Sequence, residues 1–134
     1  MSTYSHITAG QVAWKVNEIA TASPDFIYEA PDGTQCVYVE TDTNGNRVGS
    51  CVVGRALIAL GVAPGDIIEQ ASSFLALNKL GILTAFEDSH ETRYWINRVQ
   101  ADQDEGKPWG VAIASANVEY PSVAAQLASK AVSG

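Results

Sequence analysis

The first clear pattern in the chain is a set of apolar residues at helical spacing across positions 12–20. Thr8 and Gln11 precede it in the arrangement of a capping box, in which each side chain bonds the backbone N–H of the other residue. Ser23 stands before Pro24, and proline disfavours helical backbone at the residue that precedes it. The pattern therefore predicts a first helix that begins directly after Thr8 and ends before Ser23-Pro24.

Short segments suited to a pleated sheet come next. Residues 26–28 and Cys36–Val39 are rich in aromatic and β-branched residues, which favour strands. Asn44-Gly45 is a strong hairpin signal, and Arg47–Gly49 would form the returning strand. We therefore predict a small antiparallel sheet of two or three strands, with a hairpin near residues 35–50. A sheet of this size needs helices packed on one face to be stable.

The remaining pattern predicts further helices, most of them bounded by a proline at the start or a glycine at the end. The predicted segments are 51–60 with Ser50 as its N-cap, a short helix from Pro64, 74–80, 89–105, a helix starting at Pro108 and an alanine-rich helix after Pro121. A chain of 134 residues is the usual size of one domain. The predicted fold is a single α+β domain over residues 1–134, with the small sheet packed on a helix-rich bundle.

Charge and hydropathy limit the classes of partner. The chain has 8 Lys and Arg against 15 Asp and Glu, a formal net charge of −7, which repels phosphate backbones and anionic membrane surfaces. No apolar run is long enough to span a bilayer, and the first residues lack the features of a secretory signal. These features predict a cytoplasmic protein with no nucleic-acid partner and no membrane association.

The two cysteines are too few for a disulfide scaffold. Cys36, Cys51, His6 and His90 also lack the close ligand pair that would nucleate a zinc site, so we predict reduced thiols, no metal and no cofactor. Cys51 would lie in the first turn of a predicted helix, where the helix dipole can lower the pKa of a thiol. It is therefore the candidate nucleophile of an enzyme, against the alternative that it is a buried structural thiol.

Aromatic and arginine side chains cluster in and just after the longest predicted helix. They are Arg93, Tyr94, Trp95, Arg98 and Trp109, residue types that are enriched at the energetic centres of protein interfaces. Adjacent Tyr94 and Trp95 point about 100° apart on a helix, so one narrow face cannot bury both equally. Either the five residues form a protein-binding surface, or Trp95 and Trp109 fill the core and Tyr94 caps it.

Acidic residues cluster at the carboxyl end of the same helix, at Asp102, Asp104 and Glu105. Negative charge there opposes the helix dipole. One interpretation is a carboxylate group for acid–base chemistry or a divalent cation. The other, which we favour, is solvated surface charge.

Four segments carry a resemblance to a known group of proteins. They read PDFIY at 24–28, CVYVE at 36–40, GSCVVGRALIALGV at 49–62 and QADQDEGKPWGVA at 100–112. In this order they resemble small cytoplasmic proteins of actinobacteriophages, mycobacteriophage-like and without an assigned activity, over most of residues 10–115. The resemblance implies a phage product that acts in the cytoplasm of a bacterial host, and it supplies no catalytic residues.

The leading functional hypothesis is a non-enzymatic phage protein that binds a host or phage protein and modulates it, for example by inhibiting host growth. It depends on the lack of catalytic signatures, on the resemblance and on the arginine–aromatic helix. The alternative is a small-ligand-binding protein, with a pocket between the hairpin and helix 51–60, or a cysteine-dependent enzyme that uses Cys51. A third hypothesis is a homodimer whose tryptophans are buried at a two-fold interface.

Overall fold

The computed structural model describes residues 4, 6–29, 37–67, 72–82 and 90–133. These residues form six α-helices, one short 3₁₀ helix and a two-stranded antiparallel sheet, which confirms the predicted α+β class. In chain order the elements are α1 (Ala9–Ala22), β1 (Val39–Thr41), β2 (Arg47–Gly49), α2 (Val52–Ala59), the 3₁₀ helix (Pro64–Asp66), α3 (Ser73–Lys79), α4 (His90–Asp104), α5 (Trp109–Glu119) and α6 (Pro121–Ser133).

Helix α1 begins and ends where the sequence predicts. Thr8 Oγ1 accepts the Gln11 N–H at 3.1 Å, and Gln11 Oε1 accepts the Thr8 N–H at 2.9 Å. This capping box satisfies two of the backbone N–H groups that a helix leaves without partners at its start. One face of α1 is buried, and it packs against α2, α4, α5 and α6. Helix α1 therefore lies at the centre of the core.

The predicted hairpin forms around Asn44-Gly45. Gly45 has a φ of 84°, a left-handed conformation that glycine adopts without steric cost. The two strands are antiparallel, and Val39 stands opposite Gly49. The described sheet has two strands, and Cys36, at the start of the predicted second strand, lies outside the described residues.

The prediction of a strand at 26–28 is wrong. The backbone of this segment serves the start of α5 instead: the Trp109 N–H donates to the Phe26 carbonyl at 2.9 Å, and the next N–H donates to the Pro24 carbonyl at 2.8 Å. The Phe26 and Trp109 rings pack with their centroids 4.5 Å apart. The Arg55 guanidinium lies 5.2 Å and 5.0 Å from the same two centroids. The first N–H groups of α5 have no acceptor within the helix, and they bond the carbonyls of this segment. These bonds and the ring contacts fix the segment, which therefore does not pair with the sheet.

Helix α2 is capped by Cys51 and not by Ser50 as predicted. Cys51 Sγ accepts the Gly54 N–H at 3.5 Å. The Ser50 hydroxyl is occupied elsewhere, because it bonds the Tyr28 hydroxyl at 2.7 Å and donates to the Glu40 carboxylate. Ser50 is buried, and a buried hydroxyl needs hydrogen-bond partners. It therefore joins the hairpin to the segment after α1, and the next residue caps the helix.

The other predicted helices lie within about one residue of their predicted positions. Gly61, Gly81 and Gly106 follow α2, α3 and α4 with φ angles of 100°, 83° and 87°. These left-handed residues end the helices, as the glycine positions predict. The segment from Pro64 is a 3₁₀ helix of three residues.

Helices α4 and α5 form an antiparallel hairpin. At one end of the pair, Trp95 Nε1 donates to Asn117 Oδ1 at 2.9 Å. At the other end, Trp109 Nε1 donates to Gln103 Oε1 at 3.0 Å. The start of α4 thus contacts the end of α5, and the end of α4 contacts the start of α5. The two helices therefore lie side by side and share one outer surface.

Candidate functional site

Two of the five residues predicted for a binding surface, Trp95 and Trp109, are buried. Both indole N–H groups are bonded inside the protein, to Asn117 and Gln103. The prediction that they contact a partner directly is therefore wrong, and the alternative that they fill the core is confirmed. Helix α4 contacts α1, α2, α3, α5 and α6, so its apolar side is covered by the protein's own helices.

Tyr94 remains on the surface, with 47% of its area exposed. Its ring stacks on that of Tyr120, with the centroids 6.2 Å apart and the planes 17° from parallel. The unequal burial of the adjacent Tyr94 and Trp95 agrees with their angular separation on the helix. Tyr94 therefore caps the tryptophan core and presents an ordered aromatic ring to solvent.

The two predicted arginines are half-buried and already engaged within the chain. Arg93 Nη2 lies 3.1 Å from His90 Nδ1, within hydrogen-bond distance. Arg98 donates from Nε to Asp102 Oδ1 at 3.2 Å, and its Nη1 bonds the Glu119 carboxylate. Arg98 consequently joins α4 to α5 and lies on the same outer surface as Tyr94.

Sequence reasoning missed the outer side of α5. Val118 is 83% exposed and Val111 is 47% exposed, while Ala114 between them is exposed as well. These positions are separated by three and four residues, so they share one side of the helix. The signal was available, because α5 has apolar residues around nearly its whole circumference and only one side can face the core.

A shallow depression of about 420 Å³ lies between α4 and α5. It is lined by one residue of α4, Arg98, and four residues of α5: Ala114, Ser115, Val118 and Glu119. We use the name α4–α5 face for this depression and the exposed side chains beside it, which are Tyr94, Arg98, Val111, Ala114, Ser115, Val118, Glu119 and Tyr120. The face combines an apolar floor, two tyrosine rings and one ion pair.

Asp102 belongs to the acidic cluster that the sequence places at the carboxyl end of α4. The favoured interpretation, solvated surface charge, is wrong for it, because Asp102 is only 2% exposed. Its Oδ1 accepts from Arg98 at 3.2 Å and lies 3.5 Å from Lys107 Nζ. Charged groups are rarely buried unless they are paired, and here two cations compensate the carboxylate. Asp102 thereby fixes the Arg98 guanidinium from below the surface.

Tyr120 has a perturbed hydroxyl on this face. A hydrogen bond to the Glu119 carboxylate raises the pKa of Tyr120 above its usual 10.0, and burial raises it further. The hydrogen bond therefore favours the protonated phenol, which is its donor. Glu119 holds Tyr120 and Arg98 together, which gives the face a fixed arrangement.

Cys51 is fully buried. Its Sγ accepts the Gly54 N–H at 3.5 Å and lies 3.6 Å from Gln100 Nε2. A nucleophilic thiol needs a base beside it and access for substrate, and these contacts belong to a helix cap in the core. The geometry therefore supports the structural interpretation of Cys51.

A second, smaller cavity of about 150 Å³ opens where α1, α4 and α6 meet. Its lining is mostly small or apolar: Thr8, Gly10, Ala13, Thr92, Val123, Gln126 and Leu127. Neither this cavity nor the α4–α5 depression lies between the hairpin and α2, where the ligand pocket was predicted. Across the described part of the chain, no group of three or more His, Cys, Asp or Glu is placed to hold a metal ion.

Among the helices that the structure describes, none combines the length and apolar character needed to cross a bilayer. Comparisons of the chain with protein-family models, with curated proteins and with solved structures gave no significant match. The resemblance to actinobacteriophage proteins accordingly stays a prediction, and the functional conclusion depends on the geometry of the α4–α5 face.

Proposed function

We propose that this chain is a non-enzymatic binding protein that engages another protein through its α4–α5 face and modulates that partner. The observation that supports this most directly is the apolar outer side of α5, where Val118 is 83% exposed. Val118 lines the same depression as Arg98. Arg98 lies one turn after Tyr94 on α4, so the stacked tyrosine pair adjoins this depression.

The distribution of apolar residues around α5 favours a binding role over chance exposure. A helix that is apolar on all sides is usually buried on all sides. The core side of α5 is filled by buried residues, while Val111, Ala114 and Val118 face solvent. Single exposed apolar residues are common on proteins, but three on one side of one helix form a stripe that a partner can cover.

The polar members of the face are held in place before any partner binds. Tyr94 is stacked on Tyr120, and Arg98 is fixed by Asp102 and Glu119. Tyrosine and arginine contribute strongly to interface energies. Side chains that are already ordered lose less conformational entropy on association, which favours binding.

The resemblance to actinobacteriophage proteins extends the proposal to the partner's origin. On that basis the partner is a bacterial host protein, and one outcome of binding is inhibition of host growth. This extension depends on the resemblance, whereas the position of the binding face depends on the exposed stripe and the stacked tyrosines.

The test places a photo-crosslinking residue at position 118 in the protein expressed in an actinobacterial host. We expect one protein to be crosslinked from position 118. The control position is 18, which is exposed on α1 and not part of the α4–α5 face, and we expect no crosslink to that protein from it.

Substitutions then measure the contribution of the face with the purified partner. Tyr94→Ala and Val118→Asn alter exposed side chains and should leave the fold intact, but each should weaken binding about tenfold. Glu18→Gln should leave the affinity unchanged. If folded variants bind as tightly as the unaltered chain, the α4–α5 face is not the site; if position 118 captures nothing, the proposed function is wrong.

A further inference from the structure

We infer that Arg55, Phe26 and Ile27 form a second binding surface, which takes a carboxylate side chain together with a neighbouring apolar side chain from an acidic segment of a protein. This surface shares no residue with the α4–α5 face, and the inference does not depend on the proposed function. It follows from the hydrogen bonds, the ring contacts and the ion pairing of Arg55.

Arg55 is held in place from several directions. Its Nε donates to the Ser50 carbonyl at 2.8 Å, and its guanidinium lies 5.2 Å and 5.0 Å from the ring centroids of Phe26 and Trp109. A Cβ at Gly49 would stand 3.0 Å from Arg55 Cγ, so the end of β2 packs against the stem of this side chain. A side chain that is already ordered loses little conformational entropy when a ligand binds.

These contacts leave most of the hydrogen-bonding capacity of the Arg55 guanidinium unused. The group has five N–H donors, and four of them are on Nη1 and Nη2. Among the residues that the structure describes, none accepts a hydrogen bond from either of these nitrogens. The two rings stabilise the positive charge through cation–π contacts, but they supply no oxygen acceptor. The side chain is half-buried, so part of it stays open to a ligand.

The charge of Arg55 also lacks an ion pair. Lys15, Arg98 and Lys107 each contact a carboxylate of the chain. No carboxylate within the described ranges pairs with Arg55, although the chain has 15 Asp and Glu. A guanidinium binds a carboxylate through two parallel N–H bonds. The unused donors and the unpaired charge therefore favour a carboxylate as the ligand group.

Exposed apolar side chains adjoin this cation. Phe26 is 38% exposed and Ile27 is 50% exposed, and the Phe26 ring contacts the Arg55 guanidinium. A small molecule is normally enclosed in a pocket, whereas these side chains lie on the surface, where a partner protein can cover them. The occupant is therefore a protein segment in which an apolar residue stands next to Asp or Glu.

Net charge distinguishes a carboxylate from a phosphate at this surface. The chain has a net charge of −7, and its long-range repulsion of a ligand grows with the negative charge of that ligand. A phosphate group carries nearly two negative charges at neutral pH. A single carboxylate meets the donors of Arg55 with about half of that repulsion.

The test is a subtractive selection from a library of displayed random peptides. The library is first depleted on the Arg55→Gln protein, which removes peptides that bind elsewhere, the α4–α5 face included. It is then selected on the unaltered protein. We expect the enriched peptides to share an Asp or Glu next to a large apolar residue.

Synthetic peptides then identify the ligand group. The enriched sequence is made with both ends blocked and with its acidic residue kept, replaced by the matching amide, or replaced by phosphoserine. A fourth peptide has the amide and a free carboxyl terminus. We expect the acidic peptide to bind at least about tenfold more tightly than the other three, and to shift the NMR signal of the Arg55 Nε–H group.

Matched variants assign the binding to this surface. Arg55→Lys keeps the charge but cannot form two parallel bonds, so it should weaken the acidic peptide about fivefold. Ile27→Asn should also weaken it about fivefold. Arg47→Gln removes the same charge from an arginine exposed on the hairpin and should change the affinity less than about twofold. Denaturant unfolding of each variant checks that it is folded.

Several results would overturn the inference. They are a depleted library that yields no enriched peptide, enriched peptides without an acidic residue, and an amide peptide that binds as tightly as the acidic one. Tighter binding of the phosphoserine peptide or of the peptide with a free carboxyl terminus would refute the carboxylate side chain as the ligand group. None of these results bears on the α4–α5 face, which crosslinking from position 118 tests separately.

Discussion

Individual polar side chains inside this protein join elements that are far apart in sequence. Gln103 is the clearest case, because its Oε1 accepts the Val52 N–H at 2.8 Å and the Trp109 indole N–H at 3.0 Å. One amide oxygen thus connects α4 with the starts of α2 and α5. The side chain is buried, so water cannot replace it without rearrangement.

Gln103→Leu should lower the free energy of unfolding by about 2–4 kcal/mol, because it leaves two buried N–H donors without their acceptor. Denaturant unfolding measures the change. Gln126→Leu is the control, since Gln126 is exposed on α6 and its loss should cost less than about 0.5 kcal/mol. Equal effects of the two substitutions would show that the hydrogen bonds of Gln103 do not contribute to the free energy of unfolding.

Cys51 offers a second test at this scale. In a Cys36→Ser background, a thiol reagent should modify Cys51 at least about 100-fold more slowly in the folded protein than in denaturant, because access requires opening of the core. The rate is followed spectroscopically. Rapid labelling of the native protein would instead support the cysteine-enzyme hypothesis.

Residue identity alone predicted part of the candidate site. The angular separation of Tyr94 and Trp95 indicated that one would be exposed, and Tyr94 is the exposed member. The pairing of Asp102 with Arg98 and Lys107 is local in sequence. Its burial could not be predicted, because it depends on how the other helices pack around α4.

At the scale of elements, local signals predicted the boundaries well. The capping box fixed the start of α1, and glycines with positive φ ended α2, α3 and α4. The failures have a common cause. The strand expected at 26–28 and the cap expected at Ser50 depend on backbone and side-chain partners from distant elements, which no local pattern specifies.

The contact between α2 and the hairpin gives a prediction for an element pair. A Cβ at Gly54 would stand 1.9 Å from the Tyr38 carbonyl oxygen. Gly54→Ala should therefore destabilise the fold by about 2–4 kcal/mol, although alanine favours a helix by about 1 kcal/mol over glycine.

Thermal or denaturant unfolding tests this against Gly65→Ala. A Cβ at Gly65 meets nothing within 4 Å, so that substitution should be neutral or stabilising by up to about 1 kcal/mol. A stable Gly54→Ala protein would mean that α2 and the segment at Tyr38 can separate without cost.

At the scale of the whole molecule, the class of fold was predictable and the arrangement of helices was not. Periodicity identifies which side of each helix is apolar, but α5 is apolar on two sides, and only the packed structure shows which side faces solvent. The α4–α5 face is therefore a property of the assembled fold. The lack of catalytic signatures, the resemblance and the arginine–aromatic cluster led to the hypothesis of a binding protein, and of that cluster Tyr94 and Arg98 lie on the α4–α5 face.

A long-range contact near the beginning of the chain predicts that stability depends on pH. The Tyr4 hydroxyl donates to the Asp66 carboxylate, and this bond is the main cause that raises the pKa of Tyr4 above 10.0. The folded state thus favours the protonated phenol, so the bond's contribution is complete below about pH 10 and is lost as the pH rises through the folded-state pKa.

Tyr4→Phe should be less stable than the unaltered chain at pH 8, and the difference should shrink as the pH rises above about 10. Unfolding free energies of both proteins are measured at each pH, so the titration of the shared tyrosines and lysines cancels. A difference that stays constant across this range would show that the Tyr4 hydroxyl does not contribute through its proton.

The central position of α1 has a consequence for synthesis on the ribosome. Its partners α4, α5 and α6 are made only after residues 23–89, and at roughly 5–20 residues per second this takes several seconds. During that time α2 is the only one of the four helical partners of α1 that has been made, so much of the apolar side of α1 stays uncovered. A nascent chain halted before residue 90 should therefore bind chaperones and be cleaved by proteases within residues 9–22, whereas the complete chain resists both.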